Sequence, residues 1–304
     1  MIFKQKNLTG AWSATPTPFT SSLKIDKTSI KRMVRHHIRL GVKGLFVGGT
    51  SGEGPLLTQD ECRTLTSEIA DANNARLIIA LQVTDNSPRK ILEKLAHAKQ
   101  DGADVGIVAE PWFRVPFANE TIFRNHFLEI LEKSPLPIGI YCREVIMSPD
   151  IYAELLMHPN VLIFKDSSMD PDIMQVAGEA AKNREDLLIL TGNEFMIKRY
   201  LKANYQAVLA GGGILIGGIL DNMLKAALEG DYKKVDRLQG KSTRILETAY
   251  GGKQYKSWLT GLKYTLVKLG IFRTTESYIQ YPLPASVARR IDVMIEKERE
   301  TLLP

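Results

Sequence analysis

The feature that most constrains what this chain can fold into is a rhythm: a short apolar run, then a stretch with helical spacing, repeated eight times. The apolar runs begin near Ala11, Gly44, Leu77, Val105, Ile138, Val161, Leu187 and Ala207. The helical stretches between them are Lys27 to Leu40, Thr58 to Asn73, Pro88 to Asp101, Asn119 to Lys133, Pro149 to His158, Pro171 to Lys182 and Asn193 to Ala203, and an eighth runs from Leu215 to Gly230. A run such as Val161-Leu162-Ile163-Phe164 is apolar at successive positions, which marks a strand covered on both faces, as parallel strands are. Strands that alternate with helices call for parallel pairing with helical crossovers. Eight such units predict an α/β fold, a (β/α)₈ barrel of the TIM type. A doubly wound sheet shares the alternation, but no glycine-rich turn follows the first strand to make a dinucleotide site.

Local punctuation agrees with this division. Gly41 and Gly102 sit just beyond helix ends. Thr58 precedes Glu61 at capping-box spacing, and Ser148-Pro149 and Asp170-Pro171 put proline in a first helical turn. After Gly230 the rhythm stops. Tyr232 to Tyr250, Ser257 to Leu269 and Ala285 to Leu302 read as three helices without strands, so residues 1–230 are expected to form the barrel and 231–304 a C-terminal helical extension.

The 304 residues suffice for one such barrel, and 44% hydrophobic with 24% charged residues suits a protein with a substantial buried core. Met1 to Gly10 is polar and unlike a signal peptide, and Ile214 to Leu220 is too short to span a bilayer. Cys62 and Cys142 have no metal or redox spacing, so a reducing, cytoplasmic setting is expected, with no membrane partner. The net charge of +6 is spread over scattered pairs such as Lys31-Arg32 and Arg289-Arg290. No basic stripe interleaves with aromatics, which argues against nucleic acid as a partner.

Catalytic residues of this barrel type gather at the C-terminal ends of the strands. The sixth strand ends in Lys165, which follows four apolar residues. Burial disfavours the ammonium form, and a neutral amine attacks carbonyls. A strand-end lysine paired with a carboxylate is the plain alternative. The fifth strand ends in Tyr141, a phenol able to move protons. The second ends in Gly48-Gly49-Thr50-Ser51-Gly52-Glu53-Gly54, whose hydroxyls and amides suit a carboxylate. Together an amine, a phenol and an anion cradle are what an imine-forming enzyme for a 2-oxo acid requires.

These residues carry a resemblance. Ala14-Thr15-Pro16-Thr17-Pro18-Phe19, the loop Gly49-Thr50-Ser51-Gly52-Glu53, Tyr141, Phe164-Lys165-Asp166-Ser167-Ser168, Gly261-Leu262-Lys263 and Pro282-Leu283-Pro284 resemble the dihydrodipicolinate synthase / N-acetylneuraminate lyase superfamily of Schiff-base aldolases and dehydratases. The resemblance covers nearly the whole chain. It implies Lys165 as the imine-forming nucleophile, Tyr141 as proton shuttle, Thr50 and Ser51 as carboxylate ligands and the Leu209 carbonyl as part of the pocket. It also implies that neither metal nor organic cofactor is needed, a pyruvate-like 2-oxo acid and an aldehyde as small-molecule partners, and a homo-oligomer, dimer or tetramer.

Departures narrow the reaction. Where dihydrodipicolinate synthases proper have two tyrosines after a proline, this chain has Pro111-Trp112-Phe113, without a hydroxyl. The arginine expected a few residues beyond Tyr141 is displaced to Arg143. Both differences argue against lysine biosynthesis. Tyr141-Cys142-Arg143-Glu144 is similar to a run in the 5-dehydro-4-deoxyglucarate dehydratases, where Arg143 would clamp a distal carboxylate; a loop ion pair with Glu144 is the alternative. The expected function is a lyase or aldolase working on a 2-oxo acid through Lys165. A sugar-acid dehydratase, a dihydrodipicolinate synthase, or a non-catalytic 2-oxo-acid-binding protein are the other readings. His36, His37, His97 and His126 are expected to be packed or solvated, and Asn193-Glu194 to cap a helix or to face substrate hydroxyls.

Overall fold

The computed structural model describes residues 8–112 and 116–304; Phe113 therefore lies outside the described residues. Eight parallel strands close into one barrel in sequence order: β1 (Gly10–Ala14), β2 (Gly44–Val47), β3 (Ile78–Gln82), β4 (Val105–Ala109), β5 (Ile138–Cys142), β6 (Val161–Asp166), β7 (Leu188–Thr191) and β8 (Ala207–Ala210). Pairing of β1 with β8 completes the ring, which excludes the doubly wound alternative. Outside it lie α1 (Lys27–Leu40), α2 (Gln59–Asn73), α3 (Pro88–Gln100), α4 (Glu120–Lys133), α5 (Pro149–Leu156), α6 (Pro171–Asn183), α7 (Ile197–Lys202) and α8 (Gly213–Leu228).

The strands are apolar throughout because both faces are covered. Trp12, Phe46, Ile78, Ala80, Val105, Ile107, Ile163, Leu188, Leu190, Ala207 and Leu209 fill the barrel interior. Their neighbours, such as Leu45, Ile79, Val108, Phe164, Ile189 and Val208, point outward into the layer shared with the helices. This alternation with period two settles which strand-end residues look into the mouth of the barrel.

The helix signals operate as read. Thr58 and Glu61 form the reciprocal capping box, and proline opens α3, α5 and α6. Two expectations need correction. The helix expected from Asn193 begins only at Ile197, whose N–H is met by Gln239 from another helix. The last helix does not run unbroken to Leu302: it splits at Glu298, so the extension holds α9 (Tyr232–Ala249), α10 (Trp258–Lys268), α11 (Ala285–Lys297) and the single turn α12 (Arg299–Leu302). His36 and His37 are buried on α1, bonded to the Ile214 carbonyl and to Ser13. No helix among the described residues is long and apolar enough to cross a membrane.

Asp26 ties the barrel to its extension. It caps α1 through Thr28 and Ser29 and accepts two 2.7 Å hydrogen bonds from Arg273. Burial raises its carboxyl, but the bonds from Arg273 and Ser29 outweigh burial and hold it below the usual 3.8. A carboxyl lowered in the folded state contributes stability above its unfolded value and loses it as pH falls through the folded one. Stability is therefore expected to fall as pH drops below about 4. Urea midpoints measured against pH should show this slope flattened in Asp26→Asn.

Candidate active site

Lys165 and Tyr141 occupy paired positions on β6 and β5 and both follow the inward-facing register. Lys165 is 6% exposed. Its Nζ lies 3.9 Å from the centre of the Tyr141 ring and 4.6 Å from that of Phe46, two rings set edge to face. Burial pulls the Lys165 amine below its ordinary range, against Tyr141 and Glu194, which favour the ammonium; Arg143 adds to the lowering. Ser167 donates to the Tyr141 hydroxyl at 3.4 Å. Asp166 points the other way, where Tyr205 and Ser168 bond its carboxylate and fasten the strand end.

Glycines in the same register let neighbouring side chains close in on the site. Gly192 follows Leu188 and Leu190 on the inward face, and a Cβ there would collide with the Ser167 hydroxyl and come within 2.8 Å of Lys165 Cε. Gly211 plays the same part after Leu209. A Cβ on it would lie 3.1 Å from Ser51 Oγ, 3.6 Å from the Tyr250 hydroxyl and 3.8 Å from Glu194 Oε1. Leu209 itself is a buried β8 residue whose side chain belongs to the barrel filling.

The loop after β2 is a tight turn. Gly52 N–H donates to Gly49 O, Glu53 N–H to Thr50 O, and Thr17 holds the Gly52 carbonyl at 2.6 Å. Ser51 is buried and Thr50 is exposed. Among the described residues the N–H groups of Thr50 and Ser51 have no backbone partner. Two amides without a backbone partner stand beside two hydroxyls in one turn, a donor set whose chemistry suits a small anion.

The turn is braced from the extension. Glu53 adopts φ 56°, in the left-handed region, and its carboxylate meets Lys263 Nζ of α10 at 2.6 Å and the Tyr278 N–H at 2.7 Å. Lys263 also donates to the Glu276 carbonyl. Sequence reading singled out both residues as part of the resemblance without pairing them, because they stand far apart in the chain.

Arg143 meets Glu110, not Glu144 as the ion-pair alternative had it. Its Nε is 2.7 Å from Glu110 Oε1, and its guanidinium lies 4.3 Å over the Trp112 ring and 6.0 Å from that of Tyr141. Glu110, directly after β4, is almost fully buried, and burial raises its carboxyl against the pull of Arg143. The group can therefore present a planar cation at the rim of the mouth.

Glu194 is the residue that sequence reading undervalued. Asn193 makes a local turn with the Phe195 N–H, and Glu194 turns into the site instead of capping α7. Its Oε2 accepts from the Gly212 N–H at 2.8 Å and its Oε1 from the Tyr250 hydroxyl at 2.9 Å. The available signal was an acidic residue directly after β7, on the active face. Tyr250, at the end of α9, carried no signal. His97 lies elsewhere, lining a cavity of about 320 Å³ between α2 and α3 that Lys165 does not reach. No group of three or more His, Cys, Asp or Glu side chains among the described residues is gathered for a metal.

Comparison with known proteins places the chain. The Dihydrodipicolinate synthetase family profile matches residues 7–286. The chain belongs to this family. It is 28% identical over 229 residues to a 4-hydroxy-tetrahydrodipicolinate synthase from Exiguobacterium, covering 74% of this chain and 77% of that one. It is also 28% identical over 244 residues to an N-acetylneuraminate lyase from Rhizobium meliloti, covering 79% and 80%. Among solved structures, a prophage protein of the dihydrodipicolinic acid synthase family from E. coli K12, in complex with pyruvate, superposes with a TM-score of 0.83 at 20% identity, covering 97% of this chain and 99% of that one. As a member of the Dihydrodipicolinate synthetase family the chain is an enzyme of the lyase class, related to class I aldolases.

Proposed function

We propose that this enzyme cleaves or forms a carbon–carbon bond next to the carbonyl of pyruvate or a related 2-oxo acid, through an imine on Lys165. The observation that carries the reading is the Lys165 amine itself, buried between the Tyr141 and Phe46 rings. The substrate carboxylate binds the amides and hydroxyls of Thr50 and Ser51, with the Leu209 carbonyl behind it. That contact sets the 2-oxo carbon over Lys165 Nζ. Tyr141 relays protons as carbinolamine becomes imine, and the imine draws electrons from C3 so that its bond to C4 breaks or forms. The names of the synthase and lyase relatives, and the pyruvate complex of the E. coli protein, support a small 2-oxo acid as substrate. The reading is tested by supplying 4-hydroxy-2-oxo acids and following pyruvate release with a coupled reductase. Release at a rate proportional to enzyme supports it, and no release from any member of the panel counts against it.

Arg143 favours a second reading, in which the substrate is a sugar diacid and the reaction a dehydration. A guanidinium fixed on Glu110 and Trp112 has donors left for a distal carboxylate. In that case Arg143→Ala should raise KM for a dicarboxylic 2-oxo acid about ten- to hundredfold, the worth of a charge-assisted hydrogen bond. Capture of pyruvate should change less than about threefold. Unchanged KM for every diacid would remove the dehydratase from consideration. Self-association belongs to the same proposal, because Trp112 and the fully exposed Phe117 leave apolar surface at the rim; sedimentation gives the test.

A further inference from the structure

A groove of about 490 Å³ runs between α9 and α11, and none of the residues given a part in the imine chemistry lines it. One wall is a stripe of α11. Arg289, Arg290, Val293 and Lys297 recur there at helical spacing, over about 12 Å or two turns. Arg244 of α9 faces them, and the buried Ile245 and Met294 lie where the two helices pack. Arg289 and Arg290 read in the sequence as one scattered basic pair; folding gathers them with Arg244 and Lys297 around one depression. Its charge is left unbalanced. Among the described residues none of the four cationic groups has a hydrogen-bond or ion-pair partner. Glu298, the one carboxylate lining the groove, is held by Lys241 at 2.8 Å, and Asp292 of the same helix is bonded to Tyr264 and Lys268. Val293, set among the cations, is 63% exposed. The match to the family profile ends at residue 286, so α11 beyond its first two residues lies outside it.

We propose that the α9–α11 groove docks an acidic amphipathic helix of a partner protein. Apolar side chains on one face of that helix cover Val293 and the Ile245–Met294 floor. Glu or Asp residues beside them pair with Arg244, Arg289, Arg290 and Lys297. Charge complementarity is the argument: cations without carboxylates border an apolar strip, and the matching surface has an apolar stripe bordered by carboxylates. The layout favours this occupant over other anions. A phosphate engages one or two guanidinium forks at a point, whereas these cations are spread along two helical turns with an apolar residue among them. No aromatic ring lines the groove, so a nucleotide base has nothing to stack on. Because the cationic groups are exposed, their pairing adds orientation and association rate, and the apolar contact supplies most of the hold.

The test is fluorescence anisotropy with the full chain and a labelled peptide of Leu and Glu, about 15 residues long so that it holds a helix. Its leucines repeat at i, i+3, i+4 and i+7; a control peptide of the same composition scatters them over all faces. The patterned peptide should bind at least about tenfold more tightly than the control. Arg289→Glu/Arg290→Glu should weaken its binding about tenfold or more, and Val293→Asp should weaken it with every cation in place. Lys31→Glu/Arg35→Glu, which reverses two exposed charges on α1, should leave it unchanged. All the substituted residues are exposed, so unfolding midpoints should stay at the wild-type value. Equal binding of the two peptides, or an equal loss in the α1 variant, would mean diffuse charge attraction and overturn the proposal. Absence of binding by the patterned peptide would overturn it too. Tripolyphosphate binding in its place would assign the groove to a small polyanion, and altered sedimentation of Arg289→Glu/Arg290→Glu would assign it to contact between copies of this chain.

Discussion

Lys165→Met is expected to retain the fold and lose turnover. A nucleophile that becomes covalently joined to its substrate has no substitute in the site, so kcat/KM should fall by about 10⁴-fold or more. Lys165→Arg should fall as far, because a guanidinium keeps the charge but forms no imine, which separates nucleophilic from electrostatic roles. Stability should move the other way. The lysine is 6% exposed and rests against two aromatic rings, so its charge is held at a cost that a thioether does not bear. Thermal unfolding of Lys165→Met should occur at the wild-type temperature or above it. A variant that is inactive because it is unfolded would contradict the account.

Lys263→Met should do the reverse, leaving the nucleophile intact and undermining the fold. Both partners of the Lys263–Glu53 pair are buried, at 0% and 3% side-chain exposure. Burial pulls the Lys263 ammonium down to about 8, with Glu53 opposing. Removing the lysine leaves a buried carboxylate whose remaining bond is to the Tyr278 N–H, and the Glu276 carbonyl loses its donor. Breaking a buried ion pair in this way costs about 3–5 kcal/mol. The loss is to be read from guanidinium unfolding midpoints. Because Glu53 shares its turn with Thr50 and Ser51, the surviving folded protein should also bind pyruvate more weakly. A midpoint within experimental error of the wild type would show that the pair does not brace the turn.

How much of this was legible in the chain follows from the range of the interactions concerned. The barrel could be read because its signals are local: a buried strand announces itself in four or five residues and a cap in four. Lys165 and Tyr141 could be singled out for the same reason, as polar residues ending apolar strands, and the register of β5 and β6 sets them side by side. What escaped is long-range. Lys263 finds Glu53, and Tyr250 finds Glu194, only because the extension folds back over the strand ends. The choice of Glu110 over Glu144 by Arg143 depends on the spacing of β4 and β5, which no local pattern reports. The late start of α7 has the same origin, since Gln239 of α9 supplies its first hydrogen bond and leaves residues 193–196 free to carry Glu194 inward. The break at Glu298 gave no local warning; no proline or glycine marks it.

The central claim is that Lys165 forms an imine with a 2-oxo acid. The most direct measurement is to incubate the protein with pyruvate, reduce with borohydride, digest, and locate the added mass by peptide sequencing. The account predicts a single modified site at Lys165, absent from Lys165→Ala. An adduct on another lysine, or none with any 2-oxo acid, would contradict it.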